Sequence, residues 1–382
     1  MAEWFKAVVL KTTVRKHRGF ESRPLRQLRR PRHRAPARLR RAPGAGPAWA
    51  AWEDDRLLSL RLCDLGLRLE GSPVQARIER LLAELRERGL RFRPHFWLSD
   101  EWFSPDGVSG IAVPFYLAHP RLARLERRQM LEVEGWGRRA CMRILRHETG
   151  HALAHAWQLH RRPAWRAQFG SAARPYPEVY RPRPISKRFV HHLDHWYAQS
   201  HPDEDWAETF AVWLGSAPAV WRRRYEGWPA LRKLEYVEAL MQEIGSRRPS
   251  RLSRRRVDPL PQLGQTLRQH YRRRRAHYAV GDPDLYDDDL RRVFSEAPEH
   301  QRRRSASAFI RRRRSELRTR VARFSGQVPY TVDQVLKGME GRCRALRLRL
   351  PAGERQALDD FAVLLTVHTM NGLLGGRRRM AL

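Results

Sequence analysis

The sequence His-Glu-Thr-Gly-His, residues 147–151, places two histidines four positions apart. On a helix, residues at that spacing lie on the same face, so His147 and His151 could hold one metal ion together. Glu148 would lie beside the metal, where its carboxylate could take a proton from an attacking water. The neighbouring residues are largely apolar, as in a helix buried at the floor of a cleft. The alternative is an ordinary buried helix with two hydrogen-bonded histidines.

A catalytic zinc needs a third protein ligand and an open position for water. His155 is too far away, because eight helical residues beyond His147 correspond to a rise of about 12 Å. The extended motif with a third histidine would require Gly at 154 and His at 157, where this chain has Ala154 and Trp157. The third ligand should therefore come from another segment.

The best candidate segment is residues 197–214. Pro202 suits the first turn of a helix, and the acidic residues 203–205 favour its positive end. Glu204 and Glu208 would then share one face of that helix. An amphipathic helix with a solvated acidic start is the alternative interpretation. Nearby histidines, His191, His192 and His195, could line the same site or supply an alternative ligand, but ordinary polar groups are the simpler interpretation.

Taken together, the two segments resemble the gluzincin metallopeptidases. They look most like the bacterial zinc-binding metallopeptidase family related to the anthrax lethal factor catalytic domain. That family has a Glu-aromatic-aromatic-Ala-Glu helix, which here reads Glu-Asp-Trp-Ala-Glu over residues 204–208. The runs 95–103, 110–117 and 176–178 are also similar to the family.

The resemblance implies a role for each matched residue. Glu204 would be the third zinc ligand, and Glu208 would support the site by orienting a ligand histidine. Tyr197, seven residues before Glu204, would assist catalysis by donating to the developing oxyanion. Loss of Tyr197 should then reduce turnover more than binding. Asp205 stands where the toxin domain has an aromatic residue.

The fold that the resemblance implies is α+β, a zincin-like domain with a small mixed sheet and an active-site helix. Residues 92–97 and 110–117 have strand character and flank a Ser-Pro-Asp-Gly turn. Pro114 favours an edge position for the second strand, since proline cannot donate to a ladder. By analogy with gluzincins, an extended substrate could add to this edge. Its residues would be Gly110, Ile111, Ala112 and Val113; a sheet edge covered by a loop is the alternative.

Composition divides the chain into four parts. Residues 51–246 are predicted to form the metallopeptidase-like domain, and 247–382 a basic, mostly helical, arginine-rich C-terminal extension. Residues 24–50 are rich in Arg, Pro and Ala without a helical period, which predicts disorder.

Residues 1–23 have a different composition, with three of the six lysines in the chain. The DNA of a tRNA gene could encode two parts of this segment. Residues 8–13 can be encoded by an anticodon arm that reads a serine codon, and residues 19–22 by a T-arm. We therefore interpret this segment as resembling a serine tRNA gene read in frame, with the true start downstream. A short amphipathic leader is the alternative. An N-terminal peptide of the native protein beginning at Met1 would contradict the interpretation.

Positive charge is concentrated in the two flanks. Residues 1–46 carry 14 lysines and arginines against 2 acidic residues, and residues 247–382 carry 32 against 14, of a net charge of +35. The flanks could bind weakly to nucleic acid or to an acidic partner. Solvated arginines from a GC-rich genome are the simpler interpretation, because no recognised nucleic-acid module accompanies the charge.

Three cysteines without metal-binding or disulfide spacing fit a reducing compartment, so we expect a cytoplasmic protein. No apolar run reaches 18 residues, so no membrane partner is expected.

The predicted function is hydrolysis of peptide bonds in a peptide or protein substrate, with one Zn²⁺ per chain held by His147, His151 and Glu204. Glu148 would serve as general base and pass the water proton to the leaving nitrogen. One alternative is a DNA-associated protease that uses the basic flanks. Another is a non-catalytic protein that binds zinc or nucleic acid.

Overall fold

The computed structural model describes residues 47–177, 180, 183–194, 196–277, 286–351 and 353–374. The segment interpreted as a tRNA gene and residues 24–46 of the predicted disordered segment lie outside the described residues. Residues 48–50 differ from the prediction, because Ala48–Ala51 form a 3₁₀ turn and Trp49 is only 5% exposed. The Trp49 indole also donates to Leu65 O at 3.0 Å. These residues therefore belong to the folded domain.

The described residues form mostly helices, with one small sheet between the second and third of them. The two strands are β1 (His95–Ser99) and β2 (Gly110–Pro114). The helices are α1 (Asp54–Leu58), α2 (Gln75–Glu87), α3 (Pro120–Met130), α4 (Arg138–Trp157), α5 (Pro163–Phe169), α6 (Pro202–Gly215), α7 (Pro218–Arg224), α8 (Ala230–Ile244), α9 (Leu267–His277), α10 (Asp287–Val293), α11 (Ala306–Ser325), α12 (Pro329–Ala345) and α13 (Glu354–Leu374).

The sheet in the described part of the chain is two-stranded and parallel, with His95 opposite Gly110, rather than mixed as predicted. Strand β1 begins at His95 instead of residue 92, since Pro94 has no N–H to donate to a ladder. Strand β2 ends at Pro114 instead of residue 117, because Phe115–Ala118 turn into a 3₁₀ helix.

The predicted substrate edge of β2 is covered rather than open. All five residues of β2 are buried. On the edge that faces away from β1, the Ala112 N–H donates to Phe103 O at 2.8 Å. The connection between the strands thus folds back over this edge, which corresponds to the covered-edge alternative. A peptide could pair with β2 there only by displacing Phe103.

Helices α4 and α6 pack closely and carry the predicted metal ligands. The contact is close because Gly150 presents no side chain: a Cβ added there would lie 2.9 Å from Ala207 Cα. Helix α4 ends where Gln158 adopts a left-handed conformation, with φ 52°. Helix α6 begins as its sequence predicts, with Pro202 in the first turn and the His201 ring accepting from Asp203 N. This packing brings the acidic start of α6 to the middle of α4.

Residues 247–277 belong to the same hydrophobic core as α4 and α6, so the predicted boundary at 246/247 does not coincide with a change of core. The Trp97 indole donates to Val257 O at 2.9 Å, and Leu267 N donates to Leu60 O at 2.9 Å. Arg274 forms a buried ion pair with Glu126 at 2.5 Å. We call residues 247–277 the strap. The strap is part of the first domain, because its apolar residues pack into that core.

A second hydrophobic core is formed by α10, α11, α12 and α13. Several arginines of α11 form ion pairs with acidic residues of the same helical unit. Arg314 and Arg318 both pair with Asp333, at 2.8 and 3.3 Å. Arg312 and Arg313 pair with Glu354. Within the described ranges, no helix is both long and apolar enough to cross a membrane.

Candidate metal centre

Three predicted ligands converge where α4 meets α6. The Nε2 atoms of His147 and His151 are 3.1 Å apart. Oε2 of Glu204 lies 3.0 Å from His147 Nε2 and 3.2 Å from His151 Nε2. These side chains form the one group in the described part of the chain whose ligand atoms could hold a metal ion.

The geometry of this triangle fits zinc. Ligand atoms at about 2.0–2.1 Å from a tetrahedral zinc are about 3.3 Å from one another. The three separations of 3.0, 3.1 and 3.2 Å are close to that value. Two imidazole nitrogens and one carboxylate oxygen are also ligand types that zinc prefers. The residues present therefore suit a zinc ion.

Glu208 contacts His147 at the ring nitrogen that does not face the ligand triangle. Its Oε1 lies 2.9 Å from His147 Nδ1, so Nδ1–H can donate to the carboxylate and leave Nε2 directed at the cluster. Oε2 of Glu208 accepts from Leu193 N at 2.7 Å. Both Glu208 oxygens are thus used outside the triangle, whereas Glu204 Oε2 is part of it. The geometry favours Glu204 over Glu208 as the third ligand.

The charges of this cluster depend strongly on one another in the metal-free protein. Burial opposes a charge on His147, but Glu204 and Glu208 outweigh it and raise the pKa of His147 to about 10. Burial would also raise the pKa of Glu204, yet the two histidines hold it well below its usual range. A metal ion would replace a proton on His147 as the partner of these carboxylates.

Glu148 is buried on α4 between the two histidines in sequence. Its backbone carbonyl accepts from Ser104 Oγ at 3.0 Å, which ties α4 to the connection between β1 and β2. Burial raises the pKa of the Glu148 carboxyl, and the positive charge of His147 and His151 partly offsets this effect. A carboxylate with a raised pKa is a better proton acceptor near neutral pH.

Two tyrosines border the cluster. Tyr197, predicted from the resemblance, is buried with its ring centroid 5.7 Å from that of His147. Tyr176 was not assigned a role from the sequence, yet its phenol donates to Glu204 Oε1 at 3.0 Å. Tyr176 also stacks on His201 with ring centroids 3.7 Å apart. The similarity of residues 176–178 to the family was the available signal for Tyr176.

Lys233 is a second residue that sequence reasoning missed. Its Nζ lies 2.5 Å from Asp205 Oδ2, and both side chains are largely buried. Asp205 is the position at which this chain departs from the aromatic pattern, so the ion pair accounts for a carboxylate there. The partner lies on α8, 28 residues away, and nothing in the local sequence points to it.

The other histidines considered from the sequence lie outside the triangle. His155 Nε2 is 3.6 Å from Asp106 Oδ1. His192 Nε2 is 2.9 Å from Arg143 O, which fits the role of an ordinary polar group. His191 lines a separate cavity behind α4 and α6. His195 lies outside the described residues.

A cavity of about 540 Å³ adjoins the cluster on the side of His151. Its wall includes Trp206 from α6 and Asp106 from the connection that covers β2. Arg161, Arg166 and Arg251 line the same space. The cavity is large enough to take side chains of an extended peptide beside the metal ligands.

Comparison with known protein families matches part of this chain. No curated protein and no solved structure matches the sequence. Residues 119–221, which include α3, α4, α6 and all three members of the triangle, match the model of a protein family described as "Putative zinc-binding metallo-peptidase".

Proposed function

We propose that this protein is a zinc-dependent peptidase, with a single Zn²⁺ held by His147, His151 and Glu204. The observation that carries the proposal is the triangle of ligand atoms 3.0–3.2 Å apart, beside a buried glutamate on the same helix turn. The match of residues 119–221 to a zinc-binding metallo-peptidase family supports the same activity.

Each side chain has a separate task in the proposed reaction. Zinc, when bound, would supply a Lewis acid that polarises the peptide carbonyl and activates water. Glu148 takes the proton of the attacking water and returns it to the leaving nitrogen. Glu208 keeps His147 oriented by accepting from Nδ1 at 2.9 Å.

The two tyrosines are assigned different tasks. Tyr197 donates to the oxygen on which negative charge develops, a task suggested by the family resemblance. Tyr176 holds the oxygen of Glu204 that does not face the histidines, through its 3.0 Å hydrogen bond. Tyr176 thus limits the movement of the Glu204 carboxylate, and Tyr197 supplies a hydrogen-bond donor to the reacting oxygen.

The substrate is a peptide or protein that enters from the cavity next to His151. The covered edge of β2 supplies backbone pairing only if the connection carrying Phe103 moves. We place the reaction in the cytoplasm on the basis of the cysteine pattern.

The decisive experiment compares wild type with Glu148→Gln in a peptide-library digest, together with zinc content. Glu148→Gln should retain one zinc per chain, because Glu148 is not a member of the triangle. Its turnover should fall by about 10²- to 10⁴-fold, the usual contribution of a general base. An equally active Glu148→Gln protein that holds zinc would exclude the mechanism.

The alternatives receive less support. A DNA-associated protease would use the arginines of the basic flanks, but Arg312, Arg313, Arg314 and Arg318 pair with acidic residues of their own unit. Stimulation of cleavage by DNA would favour that alternative. A non-catalytic zinc protein predicts zinc binding without cleavage of any peptide in the same digest.

A further inference from the structure

A second cavity, of about 600 Å³, lies behind the metal centre. It is bounded by the first half of α4, the second half of α6, the end of α7, residues 191–194 and Trp196, and we call it the rear cavity. Its lining includes four arginines, two histidines and one acidic residue: Arg139, Arg143, Arg146, Arg224, His191, His192 and Asp194. None of the metal ligands is among its lining residues.

The rear cavity carries an excess of positive charge. Its four arginines face one acidic lining residue, Asp194, which lies 3.3 Å from Arg143. Arg146 is neutralised by Glu84 at 2.7 Å. For Arg139 and Arg224, no carboxylate of the described residues lies within ion-pair distance. After pairing, two positive charges therefore remain around one concave surface.

His191 supplies a further polar group that lacks a partner. Its Nε2 atom is buried, and none of the described atoms makes a hydrogen bond to it. The backbone of His191 is held, since its N–H donates to Tyr225 Oη at 3.0 Å. A buried ring nitrogen without a partner costs free energy, and a bound acceptor would remove that cost.

We propose that the rear cavity binds a phosphate group and that this binding strengthens the metal centre. Arg139 and Arg224 are exposed to solvent, and their planar guanidinium groups can each bind two phosphate oxygens. A doubly charged tetrahedral anion balances the two unpaired arginines, and the His191 ring donates to it. A single carboxylate would leave one of the two charges unbalanced.

Hydrogen bonds connect the rear cavity to a metal ligand. His192 contacts Arg143 O at 2.9 Å, and the next residue, Leu193, donates its N–H to Glu208 Oε2 at 2.7 Å. Glu208 Oε1 in turn holds His147 Nδ1 at 2.9 Å. An anion that immobilises residues 191–193 thereby fixes Glu208 and the orientation of His147. Because coupling between two sites is reciprocal, zinc should also strengthen phosphate binding.

The first test measures binding of inorganic phosphate to the full-length, zinc-loaded protein by titration calorimetry at constant ionic strength. The chain offers a matched control, because Arg138 and Arg223 precede the two cavity arginines on the same helices but do not line the cavity. The double variant Arg139→Ala/Arg224→Ala should bind phosphate at least about tenfold more weakly than wild type. The double variant Arg138→Ala/Arg223→Ala should bind within about twofold of wild type.

Equal weakening in both double variants would overturn the proposal, since it would mean nonspecific attraction to a protein of net charge +35. Absence of phosphate binding to wild type would also overturn it. His191→Ala provides a second check that leaves the charge unchanged, and it should weaken phosphate binding by about fivefold or more.

The second test follows the rate at which zinc is transferred to a colorimetric chelator. Phosphate should slow this transfer in wild type and in Arg138→Ala/Arg223→Ala, but not in Arg139→Ala/Arg224→Ala. Identical rates with and without phosphate would overturn the proposed coupling to the metal centre. Neither readout depends on peptide cleavage, so the result is independent of the proposed peptidase activity.

A comparison of ligands identifies the source of the phosphate. Inorganic phosphate and glycerol 2-phosphate would be titrated under the same conditions. Tighter binding of the ester assigns the rear cavity to an organic phosphate, and tighter binding of the inorganic ion assigns it to free phosphate. Either result is compatible with the two tests above.

Discussion

At the scale of single residues, His147 is the most constrained side chain of the metal centre. Its two ring nitrogens face two different carboxylates, Glu204 at 3.0 Å and Glu208 at 2.9 Å. One carboxylate belongs to the ligand triangle, and the other fixes the ring from behind. The properties of this histidine should therefore control how tightly, and at what pH, the protein holds zinc.

Zinc affinity should rise with pH across the neutral range. In the metal-free protein the pKa of His147 is raised to about 10, so the ring is protonated at pH 7 and must lose that proton when metal binds. Each released proton changes the apparent affinity about tenfold per pH unit, with weaker binding at lower pH. Calorimetry in buffers of different ionisation enthalpy measures the number of protons released.

Glu208→Gln is the control for this prediction. Removal of one carboxylate lowers the preference of His147 for the charged form, so fewer protons should be released than in wild type. Affinity that does not change between pH 6 and pH 8 in wild type would contradict the assignment of His147 as a ligand.

Glu204→Ala and Glu208→Ala should differ in severity. Loss of Glu204 removes a member of the triangle and should abolish stoichiometric zinc. Loss of Glu208 leaves the triangle but frees the His147 ring, so zinc affinity should fall by about 10- to 100-fold. Metal content after dialysis against competing chelators measures both effects. A larger loss for Glu208→Ala than for Glu204→Ala would reverse the two assignments.

At the scale of elements, the contact between α4 and α6 builds the site. Neither helix carries a complete ligand set, since α4 supplies both histidines and α6 supplies Glu204. The Trp206 indole of α6 donates to Gly150 O of α4 at 2.8 Å, which helps to fix the distance between the helices. The separation of the helices is therefore as important as the ligands themselves.

Gly150→Ala should destabilise the protein by about 1–2 kcal/mol, although alanine is the better helix former. Its Cβ would lie 2.9 Å from Ala207 Cα, a backbone atom that cannot move independently of α6. The two helices must separate, so zinc affinity should fall as well. Chemical denaturation of the wild type and the variant measures the loss of stability.

Gly341→Ala is the matched control, because a Cβ at this position of α12 meets no atom within 4 Å. It should stabilise the helix by about 0.5–1 kcal/mol and leave zinc binding unchanged. If Gly150→Ala behaved like Gly341→Ala, the close approach of α4 and α6 would not be required.

At the scale of the whole molecule, the described residues form two hydrophobic cores. The first includes the strap and also Val328, and the other buried apolar residues after the strap belong to the second. The strap contributes Leu260, Leu267 and Tyr271 to the core of the metal domain. The arginine-rich helices that follow the strap form the second core, and many of their arginines contact acidic neighbours, often two to one carboxylate, as Arg314 and Arg318 do at Asp333. High positive charge in this region is thus compatible with a structural role.

A chain that ends at residue 277 should retain the metal centre, whereas one that ends at residue 246 should not. The shorter chain lacks three large buried side chains of the strap, each contributing about 1.5–3 kcal/mol. That loss is comparable to the whole stability of an ordinary domain. Thermal unfolding and zinc content of the two chains measure the difference. Similar stability of both chains would contradict the assignment of the strap to the first core.

The sequence by itself determined the local features of this protein. The spacing of His147 and His151 fixes them on one helix face, and residues 202–205 are sufficient to start the second helix, because periodicity and helix-end preferences act over one or two turns. Assignment of Glu204 as ligand required the family resemblance. The sequence favours an open edge for β2, whereas the structure covers it with Phe103.

Tertiary structure decided the rest, because it depends on contacts between residues far apart in the chain. The carboxylate that faces both histidines, the Tyr176 phenol on Glu204 and the Lys233 partner of Asp205 all involve separations of 28 residues or more. The inclusion of residues 247–277 in the first core has the same origin. Such pairings are set by packing of whole helices, which no local pattern of residues encodes.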